Sequence, residues 1–167
     1  CASPSNIEAR QTRARPETIV GHMTLNELAL KYGTDKSSDG HGYTLEAYER
    51  YLAPYRDRPI VFWEIGVLTG ASIRMWREFL PNARVAGLDN DPGCLRRSLG
   101  DVYIGDQSDP TFLASVIAAT GAPDVVVDDG GHNGLKQIAC FRKLFPRTNP
   151  GGMYVVEDTH TFYEHAH

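Results

Sequence analysis

Pro123-Asp124-Val125-Val126-Val127-Asp128-Asp129-Gly130-Gly131-His132 is the stretch on which the fold of this chain turns. A short β-branched run ends abruptly in two acids, two glycines and a histidine. Four other segments have the same form. Ile60-Val61-Phe62-Trp63 runs into Glu64, and Arg84-Val85-Ala86-Gly87-Leu88 into Asp89. Val102-Tyr103-Ile104-Gly105 reaches Asp106, and Met153-Tyr154-Val155-Val156 reaches Glu157 and Asp158. Helical segments separate the five, which predicts an α/β fold with a doubly wound, mostly parallel sheet. All strand carboxyl ends then share one edge, and ligands bind in the crevice outside it. A row of carboxylates there repels itself. The edge should therefore hold something that is cationic or that donates hydrogen bonds.

The bulk properties fit one domain. The chain has 167 residues, enough for a sizeable core, and a formal net charge of −4. That charge gives no reason to expect a nucleic-acid or membrane surface. No apolar run has the length of a membrane span or the form of a signal core, and a cytoplasmic location is expected. Cys1, Cys94 and Cys140 lack metal-ligand spacing and are expected to be free thiols, with Cys140 in the core.

Residues 1–22 read as a flexible arm or a remnant of cloning, with Met23 as the natural start. The domain is expected over 23–167, with a helical cap over 23–58. Within the cap a helix should begin after Thr24, with Leu25, Leu28 and Leu30 on its apolar side. A polar, glycine-rich loop follows through Tyr43, and Thr44 is expected to cap a second helix ending at Leu52. Further helices are predicted over 72–80 with a serine cap, from Pro110, and over 134–145. In the last, Ile138, Phe141, Leu144 and Phe145 should form the apolar side.

Glu64-Ile65-Gly66-Val67-Leu68-Thr69-Gly70 joins the first strand to a helix, the setting of a nucleotide loop. Its spacing is not that of a dinucleotide clamp. Glu64 suits a ligand with an amino group or positive centre. Asp89 is placed to accept from ribose hydroxyls, and Asp106-Gln107 to read an adenine edge. A tight turn alone would also use Gly66 and Gly70. Taken together, these positions resemble the cofactor motifs of class I S-adenosylmethionine-dependent methyltransferases.

At the neighbouring strand ends, Asp129 and Asp158 should lie close together. Carboxylates at short range share a proton or bind a hard cation, and magnesium is the natural candidate. His132 could face the same pocket as a general base. An alcohol, with a pKa of about 15.7, is a poor proton donor to imidazole near 6.5, an uphill transfer of roughly 12 kcal/mol. A metal on the alcohol oxygen reduces that gap. The same residues also suit a plain turn and a surface histidine.

Six stretches carry a closer resemblance. They are Tyr32-Gly33-Thr34-Asp35-Lys36, His41-Gly42-Tyr43, Trp63-Glu64-Ile65-Gly66-Val67, Gly105-Asp106-Gln107-Ser108-Asp109, Asp128–His132 and Gly151–Asp158. Together they are similar to the magnesium-dependent macrolide and sugar O-methyltransferases of actinobacterial pathways, from about Met23 to the end. The resemblance implies a metal-assisted O-methyltransferase using S-adenosylmethionine and Mg2+ (or Mn2+) on a hydroxyl of a sugar or oligosaccharide acceptor. It implies His132 and Asp129 as catalytic, and Asp129, Glu157 and Asp158 as metal ligands, with Asp158 favoured over Glu157 for direct contact. It also implies Thr34, Lys36, Glu64, Gly66, Gly70, Asp89, Asp106, Gln107 and Asp128 around the cofactor. Asp35, His41 and Tyr43 would meet the substrate, and a homo-oligomer would be compatible.

Gly131 departs from a frequent serine, and the chain stops at His167 just after the fifth strand. The resemblance implies a further helix and a terminal hairpin after that strand, so the expectation is of a sheet lacking its C-terminal strands or of a sequence that omits segments of a longer protein. Two competing readings share the fold. One is a metal-dependent hydroxylase of the cephalosporin-hydroxylase-like group, which wants a two-histidine, one-carboxylate face. The other is a non-catalytic cofactor-binding subunit.

Overall fold

The structure is a computed structural model that describes residues 22–40, 45–97, 100–131 and 134–159. Residues 1–21 of the expected arm, the Thr44 cap, and His41, Tyr43 and His132 lie outside the described residues. The cap comprises α1 (Leu25–Tyr32) and α2 (Leu45–Leu52), the latter followed by a 3-10 turn over Ala53–Tyr55. Then β1 (Val61–Ile65), α3 (Ala71–Phe79), β2 (Arg84–Asp89), the one-turn α4 (Cys94–Arg97) and β3 (Asp101–Ile104) follow. The second half holds α5 (Pro110–Thr120), β4 (Val125–Asp128), α6 (Gly134–Leu144) and β5 (Met153–Val156).

All five strands pair in parallel in the order β3-β2-β1-β4-β5. The chain winds outward from β1 through β2 and β3, then crosses back to β4. The switch point therefore lies between β1 and β4, where a doubly wound sheet opens its crevice. Register places Ile65 between Leu88 and Asp128, so the three central strands end level.

Alternation along β1 assigns the two layers. Phe62 packs with Leu25, Leu28, Trp76 and Phe79 beneath α1 and α3. Trp63 and Ile65 face the other way, into the layer of Leu113, Val116, Cys140 and Leu144 from α5 and α6. Trp63 stays buried because its indole N–H donates to Thr120 Oγ1 at 3.1 Å. Cys94 and Cys140 are buried free thiols. No helix among the described residues is long and apolar enough to cross a membrane.

Three local expectations are corrected. Leu30 is 43% exposed, and Ala29 takes its place in the core with Leu25 and Leu28. Ser72 does not cap α3: Gly70 is the capping residue, in left-handed geometry without a side-chain bond, and Ser72 lies inside the helix. On α6 the buried positions are Gln137, Cys140 and Leu144, whereas Ile138, Phe141 and Phe145 are partly exposed. Phe141 and Phe145 stack on each other at the surface, with centroids 4.9 Å apart, and meet Tyr154 edge-on.

Candidate functional site

A cavity of about 580 Å³ opens at the β1–β4 switch point. Its walls come from the glycine loop after β1, the ends of β2 and β3, the Asp129–Gly131 loop, Glu157 and Asp158, and the Gly33–Lys36 segment of the cap. The volume is that of a small-molecule site.

The loop after β1 has a backbone that only glycine permits at its first turn. Gly66 has φ 93°, and a Cβ there would lie 2.0 Å from the carbonyl oxygen of Asp129. The β1 and β4 loops therefore touch backbone to backbone. Asp89 braces the far side of the turn. Its Oδ2 accepts from Val67 N at 2.7 Å and Leu68 N at 3.2 Å, and its Oδ1 from Asp91 N at 2.8 Å. Partial burial works against the charge of Asp89, but these N–H donors prevail and hold its carboxyl below the ordinary value. Leu68 itself is forced to φ 50°, an uncommon conformation for a non-glycine residue.

Asp106 and Gln107 divide at the end of β3. Asp106 is exposed, and its Oδ1 accepts from the N–H and hydroxyl of Ser108 at 2.8 and 2.7 Å. Those bonds, with the Lys136 ammonium 3.2 Å from Oδ2, hold its carboxyl down to about 2. Gln107 is buried. Its Nε2 donates to Asp128 Oδ1 at 3.0 Å, and its Oε1 accepts from Gly131 N at 3.3 Å. A Cβ on Gly130 would lie 2.1 Å from that same Oε1. Gln107 therefore ties the β3 loop to the loop after β4, and Gly130 makes room for it.

Three residues expected at the cofactor do not line the cavity. Glu64 is fully buried behind it, with Oε2 accepting from Ser72 Oγ at 2.7 Å and Oε1 from Trp76 Nε1 at 2.9 Å. Burial pushes its carboxyl up to about 7, against the pull of Lys36 and of the Ser72 and Trp76 bonds. Asp128 is likewise fully buried and holds Gln107 and the Tyr154 hydroxyl, the latter at 2.8 Å. Gly70 shapes the turn into α3. Glu64 and Asp128 are fully buried and bonded to side chains of the protein itself, outside the cavity lining.

The acids at the β4 and β5 ends converge on a cation that the chain supplies. Lys36 Nζ bonds to Asp129 Oδ2 and lies 2.7 Å from Glu157 Oε2. The Tyr48 hydroxyl donates to the other oxygen of Glu157 at 2.5 Å, and Gln137 Nε2 donates to its carbonyl at 3.0 Å. Burial opposes the Lys36 charge, yet Glu64, Glu157 and Asp129 raise its pKa above that of ordinary lysine. Burial, and then Glu157, keep the Tyr48 phenol well above its usual value, so it remains a donor. Asp158 also lines the cavity, at φ 53°. It is Glu157, however, that meets Asp129 across the ammonium.

Among the described residues no three His, Cys, Asp or Glu side chains are grouped to hold a metal. The donor chemistry nevertheless fits a hard cation. Two carboxylates already focus on one positive charge, and magnesium commonly takes one or two protein carboxylates and several waters. Asp129, Glu157 and Asp158 are the residues available to it. Thr34 is buried, with Oγ1 3.4 Å from the N–H of Lys36, and exposed Asp35 joins the rim.

Sequence reading had not anticipated Tyr48 or Gln137. Tyr48 shares the α2 face of Leu45 and Leu52, at three- and four-residue steps, and that period alone shows it points inward.

No protein-family model matches the chain. In sequence it is 42% identical over 144 residues to the 8-demethyl-8-alpha-L-rhamnosyl tetracenomycin-C 2'-O-methyltransferase of Streptomyces olivaceus, covering 81% of this chain and 38% of that protein. It is 35% identical over 176 residues to the L-olivosyl-oleandolide 3-O-methyltransferase of Streptomyces antibioticus, covering 96% of this chain and 45% of that protein. In structure it resembles the MycE methyltransferase of the mycinamycin biosynthetic pathway, solved in complex with Mg and SAH. That match has a TM-score of 0.79 and 35% identity, covering 86% of this chain and 38% of MycE. The chain thus spans about two fifths of the length of the curated relatives it matches.

Proposed function

We infer, for a chain that belongs by sequence and fold with the actinobacterial sugar O-methyltransferases of the class I S-adenosylmethionine-dependent type, that it carries the cofactor crevice and acid centre of such an enzyme. The reaction is methyl transfer from S-adenosylmethionine to a hydroxyl of a sugar on a glycosylated acceptor. One observation carries this reading: the Gly66 turn and the Asp129 loop are in backbone contact, so a ligand over the glycines lies beside the acids. The complexes of MycE with Mg and SAH, and the sugar hydroxyls named in the relatives, support it.

In this proposal the exposed backbone of the Gly66 turn, braced by Asp89, receives the cofactor. Asp89 has further lone pairs to accept from ribose hydroxyls, and Asp106 and Gln107 flank the base. Asp129 and Glu157, with Asp158, hold a divalent cation, which when bound supplies Lewis acidity that lowers the pKa of an alcohol. His132, which follows Gly131 in sequence, is the base that takes the hydroxyl proton as the oxygen attacks the methyl carbon. The bond from sulfur to that carbon breaks, and its electron pair stays on sulfur. Asp35, His41 and Tyr43 are assigned to the acceptor.

Radiolabelled methyl transfer to a rhamnosylated aromatic polyketide tests the whole reading. Label should appear on the sugar only when a divalent cation is present, and His132→Ala should lower turnover by about 10²–10⁴-fold at nearly unchanged cofactor affinity. Full turnover in excess chelator, or in His132→Ala, overturns the metal or the base.

A further inference from the structure

The ammonium of Lys36 stands where the two best-placed carboxylates meet. Its side chain is 6% exposed, against 19% for Asp129 and 16% for Glu157, so the three charges are buried together. Nothing local in sequence accounts for this. Lys36 lies 93 residues from Asp129 and 121 from Glu157, and it reaches them because its loop is held at both ends. Thr34 N donates to Ala29 O at 3.2 Å, closing the end of α1, and Ser37 N donates to Thr34 O at 3.1 Å. Gly40 lies against the loop's own start, where a Cβ would come within 2.1 Å of Asp35 O. The loop thus aims one lysine at the acids of β4 and β5.

A divalent ion bound to those oxygens would stand within a few ångströms of that ammonium, with little water to screen them. Like charges at such range repel strongly. Resting on the metal reading above, we propose that Lys36 and a divalent cation are alternative occupants of one position between Asp129 and Glu157. The lysine balances the acids when metal is out, and metal binding must expel it. Its four-carbon stem is flexible and stands in the cavity wall, so the displaced ammonium swings into the crevice without unfolding the loop.

The test uses Mn2+ as the probe, with free ion counted by electron paramagnetic resonance. Lys36→Met should bind Mn2+ at least about tenfold more tightly than the unaltered protein, since the competing charge is gone. A second measurement needs no variant. In the unaltered protein, Lys36 should be slow to react with an amine-acylating reagent and should react severalfold faster when Mn2+ saturates the site, as read by peptide mass spectrometry. Mn2+ binding to the unaltered protein with no gain in Lys36 reactivity overturns the exchange and leaves the metal site standing. Equal or weaker Mn2+ affinity in a folded Lys36→Met does the same. Absence of Mn2+ binding in both proteins overturns the metal reading and the exchange with it.

Discussion

Glu64 shows how one side chain changes meaning between sequence and structure. As a strand-end acid before a glycine loop it invites a ligand's amino group. In the fold it is sealed beneath α3, bonded to Ser72 and Trp76, with its carboxyl pushed up to about 7 by burial. The information was present in alternation: Glu64 is two residues from Phe62, so both face the α3 layer. The consequence is measurable. A carboxyl with a raised folded-state pKa adds stability that is fully present below the unfolded value, near 4.5, and is lost as pH rises through about 7. Denaturant midpoints should therefore fall between those limits, and Glu64→Gln should flatten that fall. Asp89 and Asp106, whose carboxyls are held low, act on stability only at more acid pH. An unchanged pH slope in Glu64→Gln would place the titration on another group.

At the scale of elements, the strands were legible because each is a short apolar run with an acid at its end, and their alternation with helices made a parallel sheet the expectation. Adjacency of the fourth and fifth strand ends was expected of a doubly wound sheet, and the pairing of β4 with β1 and with β5 brings Asp129 and Glu157 to one edge. Lys36 was legible as a member of the Tyr32–Lys36 pattern but not as the partner of those acids. That contact joins distant parts of the chain and leaves no periodic trace. The exposed aromatic face of α6 was misread because Phe141, Phe145 and Tyr154 satisfy one another at the surface. The start of α1 was well marked: Thr24 Oγ1 accepts from Glu27 N at 3.2 Å, and Glu27 Oε2 accepts from Thr24 N at 2.7 Å. Removing this cap with Thr24→Ala should cost about 1 kcal/mol in chemical denaturation. Affinity for S-adenosylhomocysteine should hardly change, because the cap lies at the far end of α1 from Gly33. A large loss of affinity would mean that the whole helix, and not its last turn, positions the crevice.

Across the whole molecule, the account rests on a switch-point cavity bounded by a braced glycine turn on one side and paired carboxylates on the other. The backbone contact of Gly66 with Asp129 makes these two halves a single site. The direct test of that claim is a calorimetric titration of the protein with S-adenosylhomocysteine in the presence of Mg2+. The account predicts saturable one-to-one binding with a Kd below about 1 mM, weakened at least about tenfold in Asp89→Ala, where charged hydrogen bonds worth about 1.5–3 kcal/mol each are lost. No saturable heat at millimolar ligand, or equal affinity in a folded Asp89→Ala, would contradict it.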